Sequence, residues 1–392
     1  MTMLESLATE TTTDAAVLRA VERAMAELRR GEPVLLSDAE GLAALILAAE
    51  QAGDESLARL DGLSEGGIHL VLTGRRARAL GLDRANRDPA SHDSASCDSG
   101  AGGVVAIEVS DLRAHAIVEL ADPTGGPRGP LGALTLGAVP EALGAGAVDL
   151  AKLARLLPAA LLVIRDLGGQ TPRSWAAAHD VPALATSEID EYRFAGARAL
   201  TRVAEARLPL AGAENTRVIA FRPGDGGLEH LALVIGEPRH DDSVLVRLHS
   251  ECLTGDLLGS LRCDCGDQLR GAIAAIHEAG RGVLLYLSQE GRGIGLVNKL
   301  RAYQLQDRGA DTAEANEQLG FDADERIYLP AASMLRQLGF SQVRLLTNNP
   351  DKVAALARCG ITVEERVPHA FPSNAHNDFY LATKARRFGH QF

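Results

Sequence analysis

From about residue 217 onward, short runs rich in Val, Leu and Ile alternate with stretches of helical periodicity, and few architectures accommodate that order. Strands are expected at 217–222, 230–235, 244–249, 283–287, 343–347 and 361–367. Helices are expected at 267–279, 294–309, 327–338 and 350–358. In the helix over 267–279, Leu269, Ile273 and Ile276 form the stripe that should be buried. An α/β fold is the expectation for this half.

The first half is less regular but has the same mixed character. Val17, Val21, Met25 and Leu28 recur at helical spacing within 14–30, and a short strand should follow at 33–36. Helices are expected at 39–52, 75–81, 148–157 and 174–179, and strands at 68–72, 114–120 and 159–164. The Ser, Asp, Gly and Ala-rich stretch from Asp83 to Gly103 reads as a surface loop, and 187–215 as a helical connection. Because 392 residues exceed what one hydrophobic core usually serves, two mixed α/β domains are predicted, 1–205 and 206–392.

Charge is distributed unevenly between these halves. Residues 1–193 carry 17 Lys and Arg against 28 Asp and Glu, whereas 194–392 carry 23 against 24. The overall charge of −12 argues against a general nucleic-acid binder, while the near-neutral second half can receive an anionic ligand. The N-terminus lacks a basic segment followed by an apolar one, and no apolar stretch reaches membrane-spanning length. A cytoplasmic protein without membrane association is expected, in which clustered thiols point to metal or catalysis before disulfides.

Three of the five cysteines, Cys252, Cys263 and Cys265, fall in SECLTGDLLGSLRCDCGDQL among Asp, Glu, Arg and Gly. Three thiolates with no evident fourth ligand suit an open metal site better than a closed structural one. The competing reading, small buried residues, suits the isolated Cys97 and Cys359. His249 is either a fourth ligand or a hydrogen-bonding residue of the pocket.

Other segments are weaker signals taken singly. Gln289-Glu290-Gly291-Arg292-Gly293-Ile294-Gly295 follows a strand and opens a helix, which suits either a phosphate cradle or simply a tight turn. Asp324-Glu325-Arg326 lies at the start of a predicted helix, where carboxylates are ordinary dipole partners. Thr347-Asn348-Asn349-Pro350-Asp351-Lys352 ends a strand, where α/β sheets hold ligands, although a capped, Pro-started helix fits the same residues.

Taken in order, RLHSECLTGD, SLRCDCG, SQEGRGIGL, LRAY, GADT, LTNNP and YLATKARRFGH resemble the GTP cyclohydrolase II family over about 244–390. The resemblance implies an α/β homodimer that uses Zn²⁺, one per subunit, with Mg²⁺, and acts on GTP in riboflavin synthesis. It implies that Cys252, Cys263 and Cys265 hold the zinc. GTP contacts are implied for Arg247, Leu248, His249, Ser250, Glu251, Gln268, Glu290, Gly291, Arg292, Thr312, Thr347 and Lys352. Arg326 matches the family's nucleophile toward the α-phosphorus, Asp324 the acid/base beside it, and Tyr303 a tyrosine that assists ring hydrolysis. Ser288 departs from the Arg that many relatives carry before Gln-Glu-Gly-Arg, which should weaken triphosphate binding modestly.

The first half resembles 3,4-dihydroxy-2-butanone 4-phosphate synthase in degenerate form. The family's acidic run after the first strand corresponds to Leu36-Ser37-Asp38-Ala39-Glu40-Gly41-Leu42-Ala43, with most carboxylates gone. Its Gly-His-Thr-Glu-Ala motif falls on Ala142-Leu143-Gly144-Ala145-Gly146, which removes the His and the Glu that acid/base chemistry needs. An inactive synthase-like domain is therefore expected ahead of the cyclohydrolase. Two alternatives stay open: a paralogue with altered product or pathway, and a nucleotide-binding regulator without turnover.

Overall fold

The computed structural model describes all residues except 1–2, 64–66, 83–102, 110–111, 126–133, 225, 240–242, 379–382, 384, 388 and 390–392. The expected loop at 83–103, and Cys97 within it, therefore lie almost wholly outside the described residues. Two compact units are present, and they interleave in sequence. One contains Ala16–Tyr192 with Val297–Glu325; the other contains Met1–Ala15, Arg193–Leu296 and Arg326–Phe392. Two segments thus cross a linear division of the chain: Met1–Ala15 groups with the later half and Val297–Glu325 with the earlier half.

The first unit is built on a seven-stranded sheet. Its strands are β1 (Val34–Ser37), β2 (Ala43–Ala48), β3 (His69–Thr73), β4 (Val104–Glu108), β5 (Leu136–Gly137), β6 (Ala159–Arg165) and β7 (Ala183–Ala185), in the order β5-β4-β3-β6-β2-β1-β7. The helix α1 (Met3–Arg30) begins the chain. The helix expected over 39–52 is instead β2 and a short 3-10 turn, Ala49–Gln51. All six β2 residues are buried between β1 and β6, so the apolar run has no period to distinguish strand from helix. Conversely, the strand expected at 114–120 is a helix, Ala114–Ala121, which buries Ala114, Ile117, Leu120 and Ala121.

In chain order the helices continue as α2 (Asp54–Gly62), α3 (Gly74–Ala79), α4 (Ala114–Ala121), α5 (Glu141–Leu153) and α6 (Pro172–Ala178). Helix α5 lies against β1, β2, β3, β4 and β6. Its Gly144 permits that approach, because an added Cβ would meet Val104 Cγ2 of β4 at 2.9 Å, and Gly146 leaves space for Thr186, just beyond β7, whose Cγ2 would stand 2.8 Å from a Cβ there.

The second sheet also has seven strands, ordered β14-β13-β11-β12-β10-β9-β8. These are β8 (Thr201–Arg207), β9 (Thr216–Arg222), β10 (His230–Ile235), β11 (Val244–Ser250), β12 (Gly282–Leu287), β13 (Gln342–Leu346) and β14 (Thr362–Val367). The helical connection expected over 187–215 holds only as α7 (Thr186–Arg198), followed by β8. All seven β8 residues are exposed at the sheet edge, so the strand carries no alternating burial signal. The remaining helices are α8 (Cys265–Glu278), α9 (Gly295–Asp307), α10 (Thr312–Gln318), α11 (Leu329–Gln337) and α12 (Pro350–Arg358).

Strands β14, β13, β11 and β12 run parallel, so the carboxyl ends of the last three share one edge of the sheet. Ridges of Val246, Leu248, Val283, Leu285, Val343 and Leu345 fill the core on one face. Ala272 and Ile276 of α8 close the other face, with Leu269 and Ile273 packed beside them as the helical stripe predicted. No helix among the described residues is long and apolar enough to cross a membrane.

Candidate active site

Strand alternation sorts the candidates on β11. Leu248 is part of the apolar core, so it can meet a ligand only through its main chain, whereas Arg247 and His249 point to the opposite face. Arg247 is buried, donates to the Leu346 carbonyl at 2.9 Å and pairs with the Gln268 side chain. Burial lowers its pKa to about 10, still well above neutrality. Gln268 in turn bonds Asp264, immediately before α8.

The chain leaves β11 through a π-helical turn, Leu253–Leu257, and returns at Cys263 and Cys265. The sulfurs of Cys252, Cys263 and Cys265 all lie within 4.8 Å of one another, with Cys252 Sγ and Cys263 Sγ 3.8 Å apart. Gly255 faces this cradle. A Cβ there would stand 2.8 Å from Cys263 Sγ, 2.9 Å from Cys265 Cβ and 3.2 Å from Cys252 Sγ. The Cys263 thiol is pushed up to about 11, first by its hydrogen bond with Cys252, and Cys265 is raised for the same reason. Three such thiols resist ionising together unless a cation offsets their charge, and the donor set suits a soft or borderline divalent ion such as zinc.

His249 belongs to the surrounding network and is not a member of the ligand cluster. Its Nε2 lies 3.0 Å from Asp256 Oδ1, and burial holds its pKa below the usual histidine value. Asp256 also accepts from the Cys252 amide at 3.0 Å and from the Tyr286 hydroxyl at 3.0 Å. One carboxylate thus fixes the first cysteine, the histidine and a tyrosine of β12. Neither Asp256 nor Tyr286 stood out in the sequence; the signal available was an acidic residue one turn from Cys252.

Beyond β12, Glu290 is buried and accepts from the Leu253 amide at 2.6 Å and the Gly291 amide at 2.7 Å. The Gly-rich turn is therefore tied to the cysteine loop. Gly291, Arg292 and Gly293 all have positive φ, at 64°, 62° and 98°. For Arg292 this conformation costs about 1 kcal/mol, and such strain concentrates where main chain must approach a ligand. Ser288 donates to the Glu229 carbonyl at 2.7 Å, so it serves the local fold.

After β13, Thr347 and Asn349 are buried, and Asn349 caps α12 by accepting from the Asp351 amide at 2.9 Å. The capped, Pro-started helix is real, and it also delivers Lys352, whose Nζ donates to the Leu248 carbonyl at 3.0 Å. His369, not singled out from sequence, bonds Asn348 through its main chain and the Gln268 carbonyl through Nε2 at 2.8 Å. Burial holds its pKa down to about 4, so it is neutral near pH 7 and Nε2–H is the donor.

Several buried polar atoms of this edge have no protein partner: Arg247 Nε, His249 Nδ1, Ser250 Oγ and Gln289 Oε1. Such atoms are costly unless something polar completes them. Glu251 follows Ser250, its amide bonded to Leu287 O at 2.8 Å.

Arg326 belongs to the same unit, with its guanidinium 5.9 Å from the Tyr328 ring centroid. The segment 321–328 is irregular and α11 begins at Leu329. Asp324 is therefore not at a helix N-terminus, and the dipole-partner reading falls away. Asp324, Tyr303 and Thr312 belong to the other unit. Asp324 is exposed, Tyr303 lies on α9 with Lys299 Nζ 5.8 Å from its ring centroid, and Thr312 opens α10 behind the Asp311 cap.

Comparison with known proteins places these features in context. The family model for GTP cyclohydrolase II matches residues 201–368. GTP cyclohydrolase-2 of Azospirillum brasilense is 53% identical over 383 residues, covering 97% of this chain and 95% of that protein. Riboflavin biosynthesis protein RibBA of Nocardia farcinica is 40% identical, covering 94% of this chain and 95% of its own length. The shorter GTP cyclohydrolase-2 of Pseudomonas paraeruginosa is 60% identical over 188 residues, 48% of this chain and 91% of that protein.

Proposed function

The chain belongs to the GTP cyclohydrolase II family, and from that premise we propose that it hydrolyses GTP to 2,5-diamino-6-ribosylamino-4(3H)-pyrimidinone 5′-phosphate, formate and pyrophosphate in riboflavin biosynthesis. The observation that carries the reading is the three-cysteine cradle, with Cys252 and Cys263 buried, set at the same sheet edge as Arg247, the Gly-rich turn and Lys352.

Cys252, Cys263 and Cys265 would hold zinc, and their chemistry and the Gly255 cradle fit it. When bound with an open position, zinc supplies Lewis acidity and a hydroxide source near neutral pH, which attack at guanine C8 requires. Asp256 holds Cys252 and His249 in place for that role. His249 through Nδ1, and Ser250 through its hydroxyl, are assigned to GTP contacts, because neither atom has a protein partner. Gln268, Glu251 and Thr312 are assigned to GTP recognition, and Tyr303 to assisting ring hydrolysis. The Gly291–Arg292 main chain, Thr347 and Lys352 are assigned to the triphosphate, with magnesium entering on the phosphates.

Pyrophosphate loss is assigned to Arg326 as nucleophile toward the α-phosphorus, with water releasing the phosphoryl group afterwards. A guanidinium is protonated at neutral pH, so Asp324 must take up its proton as the bond to phosphorus forms and the bond to pyrophosphate breaks.

The functional division is 206–392 for the cyclohydrolase and 1–205 for a synthase-like domain without synthase activity. Asp38 spends its Oδ1 on the Glu40 and Leu42 amides, at 3.1 and 2.8 Å, within a turn. Leu143, in place of the family's His, is buried in α5, and Ala145 stands in place of its Glu, so neither position offers a metal ligand or a proton. The family resemblance supports a homodimer and a cytoplasmic location. Mass spectrometry of the product from GTP, Mg²⁺ and Zn²⁺ tests the assignment: a deformylated monophosphate is expected, and a retained formyl group would indicate an altered outcome.

A further inference from the structure

Segment 297–325, which falls within the family match, is anchored by residues from the first half of the chain. Thr73 Oγ1 donates to the Gly320 carbonyl at 2.9 Å. Gly320 has φ +94°, and an added Cβ there would meet Pro158 Cγ and Thr73 Oγ1, each at 2.9 Å. Just beyond, Arg75 Nε meets Asp322 Oδ1 at 2.7 Å. Lys152 Nζ lies 2.8 Å from Glu325 Oε1 and 3.6 Å from Asp322 Oδ2. Glu325 Oε1 closes the ring by accepting from the Asp322 amide at 2.8 Å.

The Lys152 and Glu325 side chains are only 13% and 12% exposed. Largely buried pairs of this kind add little net stability but fix geometry well. The two anions flank Asp324, which remains exposed on a short stretch pinned at both sides. We propose that Arg75 and Lys152, from the synthase-like half, are positioning residues for GTP hydrolysis that hold the 320–325 loop so that Asp324 is presented in one place. This rests on the role assigned to Asp324 above, and it gives the synthase-like half a task its own lost chemistry does not.

The test uses the full-length, zinc-loaded protein with Lys152→Met, which keeps the stem and removes the charge, and Lys152→Arg. Hydrogen exchange of 320–326 and steady-state kinetics with GTP are read together. Lys152→Met should speed exchange there roughly tenfold and lower kcat by roughly ten- to a hundredfold. KM and zinc content should stay within about twofold, since the lost interaction matters for turnover and not for ground-state binding. Lys152→Arg should restore most of both readouts. Glu325→Gln reaches the same contact from the other side, should Lys152→Met fold poorly. Unchanged kcat in well-folded Lys152→Met and Glu325→Gln overturns the proposal, as does a fall that the arginine does not rescue. A wild-type protein that turns over no GTP would instead refute the assigned reaction, while the exchange data would still decide whether Lys152 holds the loop.

Discussion

At the scale of single residues, the site depends on one position without a side chain. Gly255 is not required by backbone conformation; what excludes a larger residue is the sulfurs around it, three atoms of the cluster lying within 3.2 Å of a built Cβ. Gly255→Ala should lower zinc affinity by roughly ten- to a hundredfold, as displacement of supporting contacts does elsewhere. Equilibrium dialysis of zinc with circular dichroism on the same sample checks this, and full zinc binding in a folded variant would contradict it. The cysteines themselves were legible in the sequence because apolar cores seldom alternate with Arg262, Asp264 and Asp267. The carboxylate that organises them was not, because Asp256 acts through a main-chain amide and a histidine, contacts that a linear motif does not display.

At the scale of elements, a cap and a ligand position turn out to be the same structure. Asn349 ends β13's loop and starts α12, and α12 carries Lys352 beneath the Leu248 carbonyl. Asn349→Ala should cost about 1 kcal/mol of stability. It should also raise KM for GTP more than it lowers kcat, because Lys352 is assigned to triphosphate binding; thermal melts and a kinetic comparison decide this. The parallel strands behind these loops were legible because each is an apolar run bounded by turns. Strand β2 and helix α4 were exchanged because their apolar runs are too short to show a period, and only their neighbours in the fold select strand or helix. Strand β8 was missed because none of its side chains is buried.

At the scale of the whole molecule, the interleaving of 297–325 with the first half was not legible at all. No local pattern in Arg75 or Lys152 announces a partner more than 150 residues away, and only the folded chain shows it. The synthase-like half has apolar packing where that chemistry would need ligands, so ribulose 5-phosphate should yield no dicarbonyl product. Turnover above a heat-treated control would contradict this. The uneven charge follows the same division: the acidic half carries carboxylates used in turns and ion pairs, and the near-neutral half presents Arg247, Arg292, Arg326 and Lys352. Formate release and zinc content, measured together on purified protein supplied with GTP and Mg²⁺, decide whether the cysteine cradle carries GTP hydrolysis. Formate should appear in step with GTP consumption for the zinc-loaded protein, and both zinc and formate should be lost in Cys263→Ser. Zinc bound to intact protein with no formate released would contradict that role.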